Sequence, residues 1–231
     1  MLNSKMVRNL AILFSLGIFI VVGCKFSQKW LKQVGFIPIE VVTLTDKLHY
    51  VDPLVVKSAV MGHMQEGFFG LKVNKIQQEL KNIPWVANAN VQRCWPNAVK
   101  IKIFEKQPLA IWEGRGIIDT EGKLFFPVTV ANVDGLPEFS GNEEYVDSMV
   151  DMYLLVLSAL KPIGLAVQKL DFMPEQGWRV MLNNGITIVL GLNELQERLA
   201  RFVLAYEKIV NAGPNCPNIV DLRYTNGLAI G

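Results

Sequence analysis

Few side chains in this 231-residue chain are suited to chemistry: it holds two histidines and three widely spaced cysteines. His63 and Glu66 stand three apart and could be read as a metal pair, yet no H-E-x-x-H surrounds them and no third ligand follows. Plainer roles are expected. His49, beside Tyr50 ahead of a helix, sits at the surface, and His63, just past a predicted helix stop at Gly62, caps carbonyls. Gly114-x-Gly116 lacks the third glycine and following helix of a phosphate loop. Ser140 and Ser148 lie in no Gly-x-Ser-x-Gly elbow and have no histidine nearby in sequence. Glu143-Glu144 flank a helix start, where negative charge meets the helix dipole favourably. Cys24, Cys94 and Cys216 show no CxxC spacing, so neither a zinc site nor a disulfide framework is indicated. Cys94 and Cys216 are either a bridge formed in an oxidising compartment or, the expected case, two unpaired thiols. No catalytic residue, metal or cofactor is expected, and the chain reads as a binding protein.

A net charge of +2, with no long run of Lys and Arg, argues against a nucleic-acid partner, which needs a concentrated basic face. After Lys5 and Arg8, residues Leu10 to Cys24 are uncharged and mostly apolar, closed by Lys25. With Met6 and Val7 added and Arg8 reaching the head groups, the segment is long enough to span a membrane. Val21-Val22-Gly23-Cys24 also has the form of a bacterial lipoprotein signal, so an uncleaved anchor is the first reading and a lipoprotein the second. Lys25, Lys29 and Lys32 balance the basic residues ahead of the run, and charge does not set the orientation.

Past a linker ending at Gly35, Ile37–Leu44 is rich in β-branched residues and predicts a strand. Asp52-Pro53 predicts a helix start, with the helix running to Met61. Gly67-Phe-Phe-Gly70 reads as a turn-like insertion. Asn74 and Gln77 then predict a capping box, ahead of Val73, Ile76, Leu80 and Ile83 on one helix face. Strands follow over Val86–Cys94 and Val99–Glu105, the second alternating Val99, Ile101 and Ile103 with Lys100 and Lys102. The resulting order, β-α-α-β-β, is a self-contained α+β unit. Short strands come next at Leu109–Glu113, Gly116–Asp119 and Lys123–Phe126, then a helix over Tyr145–Leu160 and a strand over Val167–Phe172. Trp85, Trp95, Trp112 and Trp178 fall in or beside strands, where core packing is expected.

Asn183-Asn184-Gly185 predicts a hairpin with a three-residue loop. That register pairs Leu182 with Ile186, Val180 with Ile188 and Trp178 with Leu190, and puts all six on one face with Gly185 at positive φ. The last helix should be capped by Asn193 and Gln196, with Leu195, Leu199, Phe202, Tyr206 and Ile209 as its apolar stripe, and should stop at Asn211-Ala-Gly-Pro214. Residues Ile219 to Ile230 form either one long strand or a hairpin at Asn226-Gly227.

Six stretches in this order resemble one family. Pro84-Trp-Val, Val91-Gln-Arg-Cys-Trp-Pro96 and Val99-Lys-Ile-Lys-Ile resemble the end of a POTRA domain of the FtsQ/DivIB bacterial division proteins. Leu182-Asn-Asn-Gly185 followed by Arg198-Leu-Ala-Arg-Phe-Val203 resembles the same family, and the ending Val220-Asp-Leu-Arg-Tyr224 with Gly227 and Gly231 is similar to its proteobacterial FtsQ branch. Cys94 departs from the polar residue usual there. The resemblance covers Phe36 to Gly231. It implies residues 1–9 in the cytoplasm, a single-pass inner-membrane anchor over 10–24, a linker over 25–35, and a periplasmic body enriched at the septum. That body would comprise a POTRA domain over 36–105 and a mixed α/β domain over 106–231 with a mainly antiparallel sheet. It further implies a non-enzymatic scaffold linking early and late divisome proteins, the alternatives being a periplasmic POTRA-containing lipoprotein or an outer-membrane assembly or secretion component. Such a scaffold binds the FtsB–FtsL pair, contacts the septal synthase FtsW–FtsI, and meets other division proteins through POTRA and anchor. Carried across by motif, Leu222, Arg223, Tyr224, Asn226, Gly227 and Gly231 would accept an FtsB strand by edge addition, with Phe202 and Tyr206 as a second contact. Arg223 would pair with a partner carboxylate, and the glycines would let the partner's backbone approach closely.

Overall fold

The structure is a computed structural model, and it describes residues 18, 20–23, 25, 38–44, 47–128, 130, 133–211 and 218–231. Among these no helix is long and apolar enough to cross a membrane. The anchor expected over 10–24, the 25–35 linker, Cys24 and Cys216 lie wholly or mostly outside the described residues. Two compact units meet at Glu105/Lys106 in the sequence.

The first unit has a three-stranded sheet in the order β1-β3-β2, from β1 (Val41–Leu44), β2 (Val86–Cys94) and β3 (Ala98–Glu105). Strand β3 lies between a parallel β1 and an antiparallel β2, and its Val99, Ile101 and Ile103 are buried as the alternation predicts. Helix α1 (Pro53–Met64) starts where expected, the Asp52 carboxylate accepting from Leu54 N at 2.8 Å. It does not stop at Gly62. A glycine inside a helix costs only about 1 kcal/mol, and His63, expected to cap carbonyls, instead lies within the helix with Nε2 2.9 Å from Glu79 Oε1 on α3 (Val73–Lys81). Gly67–Gly70 is a helical turn, α2, whose Phe68 is buried, rather than a loop insertion. The capping box at Asn74 is absent, because α3 already begins at Val73 and no side chain caps it. The Glu105 carboxylate accepts the backbone N–H groups of His49, Tyr50 and Val51 at 2.8–3.0 Å, which ties the segment before α1 to the end of β3. Trp85 stacks on Tyr50 and is buried, but Trp95, expected in the core, stands 80% exposed in the β2–β3 turn.

The second unit holds a nine-stranded sheet in the order β12-β11-β10-β9-β8-β7-β4-β5-β6. Strands β4 (Pro108–Trp112), β5 (Gly116–Asp119) and β6 (Leu124–Phe125) form a meander. Strand β7 (Glu138–Ser140), too short to show a periodicity, joins β4 in parallel. Strands β8 (Val167–Met173), β9 (Gly177–Leu182) and β10 (Thr187–Gly191) are antiparallel neighbours. Helix α4 (Val146–Leu160) connects β7 to β8, and α5 (Leu195–Val210) connects β10 to β11 (Ile219–Asp221). Both connections are crossovers, so each joins parallel strands. With the β4–β7 pair these are the parallel joints of a mixed sheet whose other neighbours are antiparallel, so the sheet is mainly antiparallel as expected. One row of side chains crosses it from strand to strand: Trp112, Phe139, Leu170, Val180, Ile188 and Val220, each without exposed surface. The apolar faces of α4 and α5 share this core.

The β9–β10 hairpin has the predicted loop. Leu182 N donates to Ile186 O at 2.9 Å, Val180 faces Ile188, Gly185 has φ 88°, and all six apolar side chains are buried. It departs at its far end, where a bulge sets Trp178 opposite Gly191 instead of Leu190. Gly191 closes that bulge and Gly177 packs against it. Both have positive φ, and a Cβ on Gly177 would lie 2.3 Å from the Gly191 carbonyl carbon.

Candidate functional site: the C-terminal hairpin

The last residues form a hairpin, not one long strand. Strand β11 pairs in parallel with β10, and Leu222 N extends that pairing by donating to Val189 O at 2.9 Å. The chain then loops through 222–228 and returns as β12 (Ala229–Ile230), antiparallel to β11. The loop is longer than a two-residue turn at Asn226-Gly227, and Gly227 is not in the left-handed region. Ile219 and Gly231 exchange both backbone bonds, at 3.0 and 3.1 Å. In an antiparallel pair such residues alternate with ones whose polar groups point away from the neighbour. Ile230 therefore turns its N–H and C=O outward, along the edge where the sheet ends.

The expected site residues divide by burial. Leu222 is fully buried and belongs to the core, whereas Tyr224 is 58% exposed. Arg223 and Asn226 are exposed, and a Cβ on Gly227 or Gly231 would meet nothing among the described residues within 4 Å. Arg223 already has a carboxylate within the chain: Asp221 receives its Nε at 3.0 Å and its Nη2 at 2.7 Å. These bonds hold the Asp221 carboxyl below the usual range, against a smaller opposing effect of burial, and raise the Arg223 guanidinium.

Helix α5 lies beside this hairpin, but not through the residues the stripe pointed to. Phe202 has no exposed surface and fills the core, so its ring is not open to a partner. Tyr206 is half-buried, its hydroxyl accepting from Asn184 Nδ2 at 3.2 Å before β10 begins, whereas the 222–228 loop follows the β10-paired part of β11. The predicted cap at Asn193 is replaced by Glu194 in the left-handed region, with no side-chain cap bond. Two arginines make the actual connection. The buried Arg198 donates to Leu190 O at the end of β10, and Arg201 Nη1 donates to Tyr224 O at 2.7 Å and Gly227 O at 3.0 Å. In the sequence both stand in the Arg198–Val203 stretch that carries part of the family resemblance, spaced i, i+3 on one helix face.

The other candidates for chemistry stay apart. His63 is engaged with Glu79, His49 sits at the surface, and Ser140 Oγ donates to Asp171. Among the described residues no group of three or more His, Cys, Asp or Glu could hold a metal ion.

Residues 37–106 match the POTRA domain, FtsQ-type, and residues 110–223 match the C-terminal domain of cell division protein FtsQ/DivIB. A cell division protein FtsQ of Coxiella burnetii is 31% identical over 194 residues, covering 84% of this chain and 80% of that protein. The chain belongs to the FtsQ/DivIB family. The FtsQ of Shewanella oneidensis is also 31% identical, over 91% of this chain and 80% of its own length. That of Vibrio cholerae is 27% identical over 94% and 84%. The FtsQ-type POTRA match falls on the first compact unit, and the FtsQ/DivIB C-terminal match covers the second as far as Arg223.

Proposed function

We propose that this chain is a non-enzymatic connector of the bacterial division machinery that captures the FtsB–FtsL pair at the open edge of β12. In this reading residues 10–24 anchor it once in the inner membrane, 1–9 stay in the cytoplasm and 25–35 link to the body. The POTRA domain over 36–105 and the domain over 106–231 then stand in the periplasm. Through FtsB–FtsL it acts on septal wall synthesis by FtsW–FtsI, with further division proteins meeting the POTRA domain and the anchor.

One observation carries the reading: the outward backbone of Ile230 on a strand with no neighbour beyond it in the sheet among the described residues. Unpaired N–H and C=O groups on an edge are a template for a partner strand. Such binding draws on Tyr224, Asn226, Gly227 and Gly231 for their exposure or open surroundings, on Arg223 for its charge, and on Leu222 and Phe202 for packing beneath the hairpin. Tyr206, half-buried near Asn184, plays the least direct part.

Ile230→Pro tests it. Proline removes the outward N–H, and edge strands tolerate it where that N–H faces solvent, so the fold is retained. Ile230→Ala keeps the backbone and trims only the side chain. Capture of purified FtsB–FtsL by the full chain should be lost with proline and largely kept with alanine. Equal capture by Ile230→Pro and the unaltered chain would remove β12 as the docking edge.

A further inference from the structure

We infer that Arg201 is a positioning residue for partner binding: from helix α5 it holds the 222–228 loop, and through it β12, in the form that accepts a strand. The inference rests on the reading of β12 as the docking edge.

Between Leu222 N, which bonds Val189 O, and the β11–β12 pairing, the chain runs through a loop without strand partners. Backbone polar groups in such a loop need side chains or water. Arg223 N donates to nothing beyond its own turn, its acceptor being Asp221 Oδ1 at 3.0 Å. Two carbonyls three residues apart, those of Tyr224 and Gly227, instead converge on the single Nη1 of Arg201 at 2.7 and 3.0 Å. A half-buried guanidinium on a sixteen-residue helix is a fixed point. It spans the loop between its two ends and so limits how far Leu228 and Ala229 can swing from β11. Arg198, one turn earlier, fastens the same helix to the end of β10. Arg201 thereby links the helix to the strand whose edge docks, and it need not touch the partner itself.

A flexible edge must be ordered when a strand adds to it, and that ordering subtracts from affinity. Arg201→Met keeps an apolar stem of similar length and removes every donor. It should weaken capture of FtsB–FtsL about tenfold, the scale of losing a hydrogen bond from a charged donor. Because the core is untouched, the melting temperature should change little. In the partner-free chain, amide exchange at Thr225–Ile230 should accelerate. Arg201→Lys, which keeps a charged donor without the fork, should restore part of both. Arg201→Gln is read by the same criteria if the Met variant does not fold.

Unchanged exchange at 225–230 in the partner-free Met or Gln variant overturns the inference, whatever the partner does. So does wild-type affinity in that variant while Ile230→Pro loses binding, a result that leaves the docking edge standing. Faster exchange together with full binding by Ile230→Pro keeps Arg201's hold on the loop but removes the docking edge, and with it Arg201's role in partner binding.

Discussion

Asp221 sets the electrostatics of the hairpin loop. Its carboxylate receives Arg223 from the side chain and the backbone, and these bonds outweigh the opposing effect of its partial burial. A carboxyl depressed in the folded chain stabilises that fold above its unfolded value, about 3.9, and loses the contribution as pH falls through the lower folded value. The expectation is a carbon-13 carboxyl titration with the Asp221 midpoint below about 3.9; a midpoint at or above it would mean the fork is not formed in solution. In the folded chain Arg223 already has Asp221 as its carboxylate partner. A partner carboxylate must share or displace that bond, so this charge sets alignment more than affinity.

Elements hold their places through a few backbone positions. The β9–β10 hairpin uses glycine at its loop and at its bulge for different reasons, which mutation separates. Gly185 has φ 88° and open space around a Cβ, so Gly185→Ala should cost about 1–2 kcal/mol, the strain of the left-handed region alone. Gly177 has φ 78° and backbone 2.3 Å from a Cβ, so Gly177→Ala should cost more than about 3 kcal/mol. Urea denaturation of the two variants gives the comparison, and equal losses would mean the bulge relaxes around the methyl. The bulge matters to the site because Gly191 also leaves room for Arg198 and Arg223, whose atoms come within 3.0 and 3.2 Å of its Cβ position.

For the whole molecule, the crossover through α5 lays β11 beside β10 and so leaves the returning β12 at the end of the sheet. A chain that ends a sheet with a two-residue strand buries little there, and a partner strand would extend the sheet by one more place. If that is its work in the division machinery, a fusion to a fluorophore that folds in the periplasm should form a band at midcell before constriction. An even ring around the envelope would separate the chain from division. The same fusion carrying Ile230→Pro should still reach midcell if recruitment runs through the POTRA domain or the anchor.

Much of this was legible in the residues. Alternation in β3, the Asp52-Pro53 helix start and the loop end of the Asn183-Asn184-Gly185 hairpin are local patterns: burial of one face fixes the strands, and a side-chain cap fixes the helix start. The motifs from Pro84 to Tyr224 were enough for the family. Helix ends were less legible: Gly62 is passed, and neither Asn74 nor Asn193 caps a helix, because tertiary packing outweighs a single capping bond. The parallel joints, the bulge at Gly177 and Gly191, the burial of Phe202 and Leu222, and the grip of Arg201 on Tyr224 and Gly227 join residues far apart in the chain. Sequence alone determined the longer strands and helices and the family they compose, since those depend on neighbours along the chain, whereas β7 and α2 are too short to carry a pattern. Only the tertiary structure decided which backbone is left facing outward, because an open edge is a property of how every other strand has already paired.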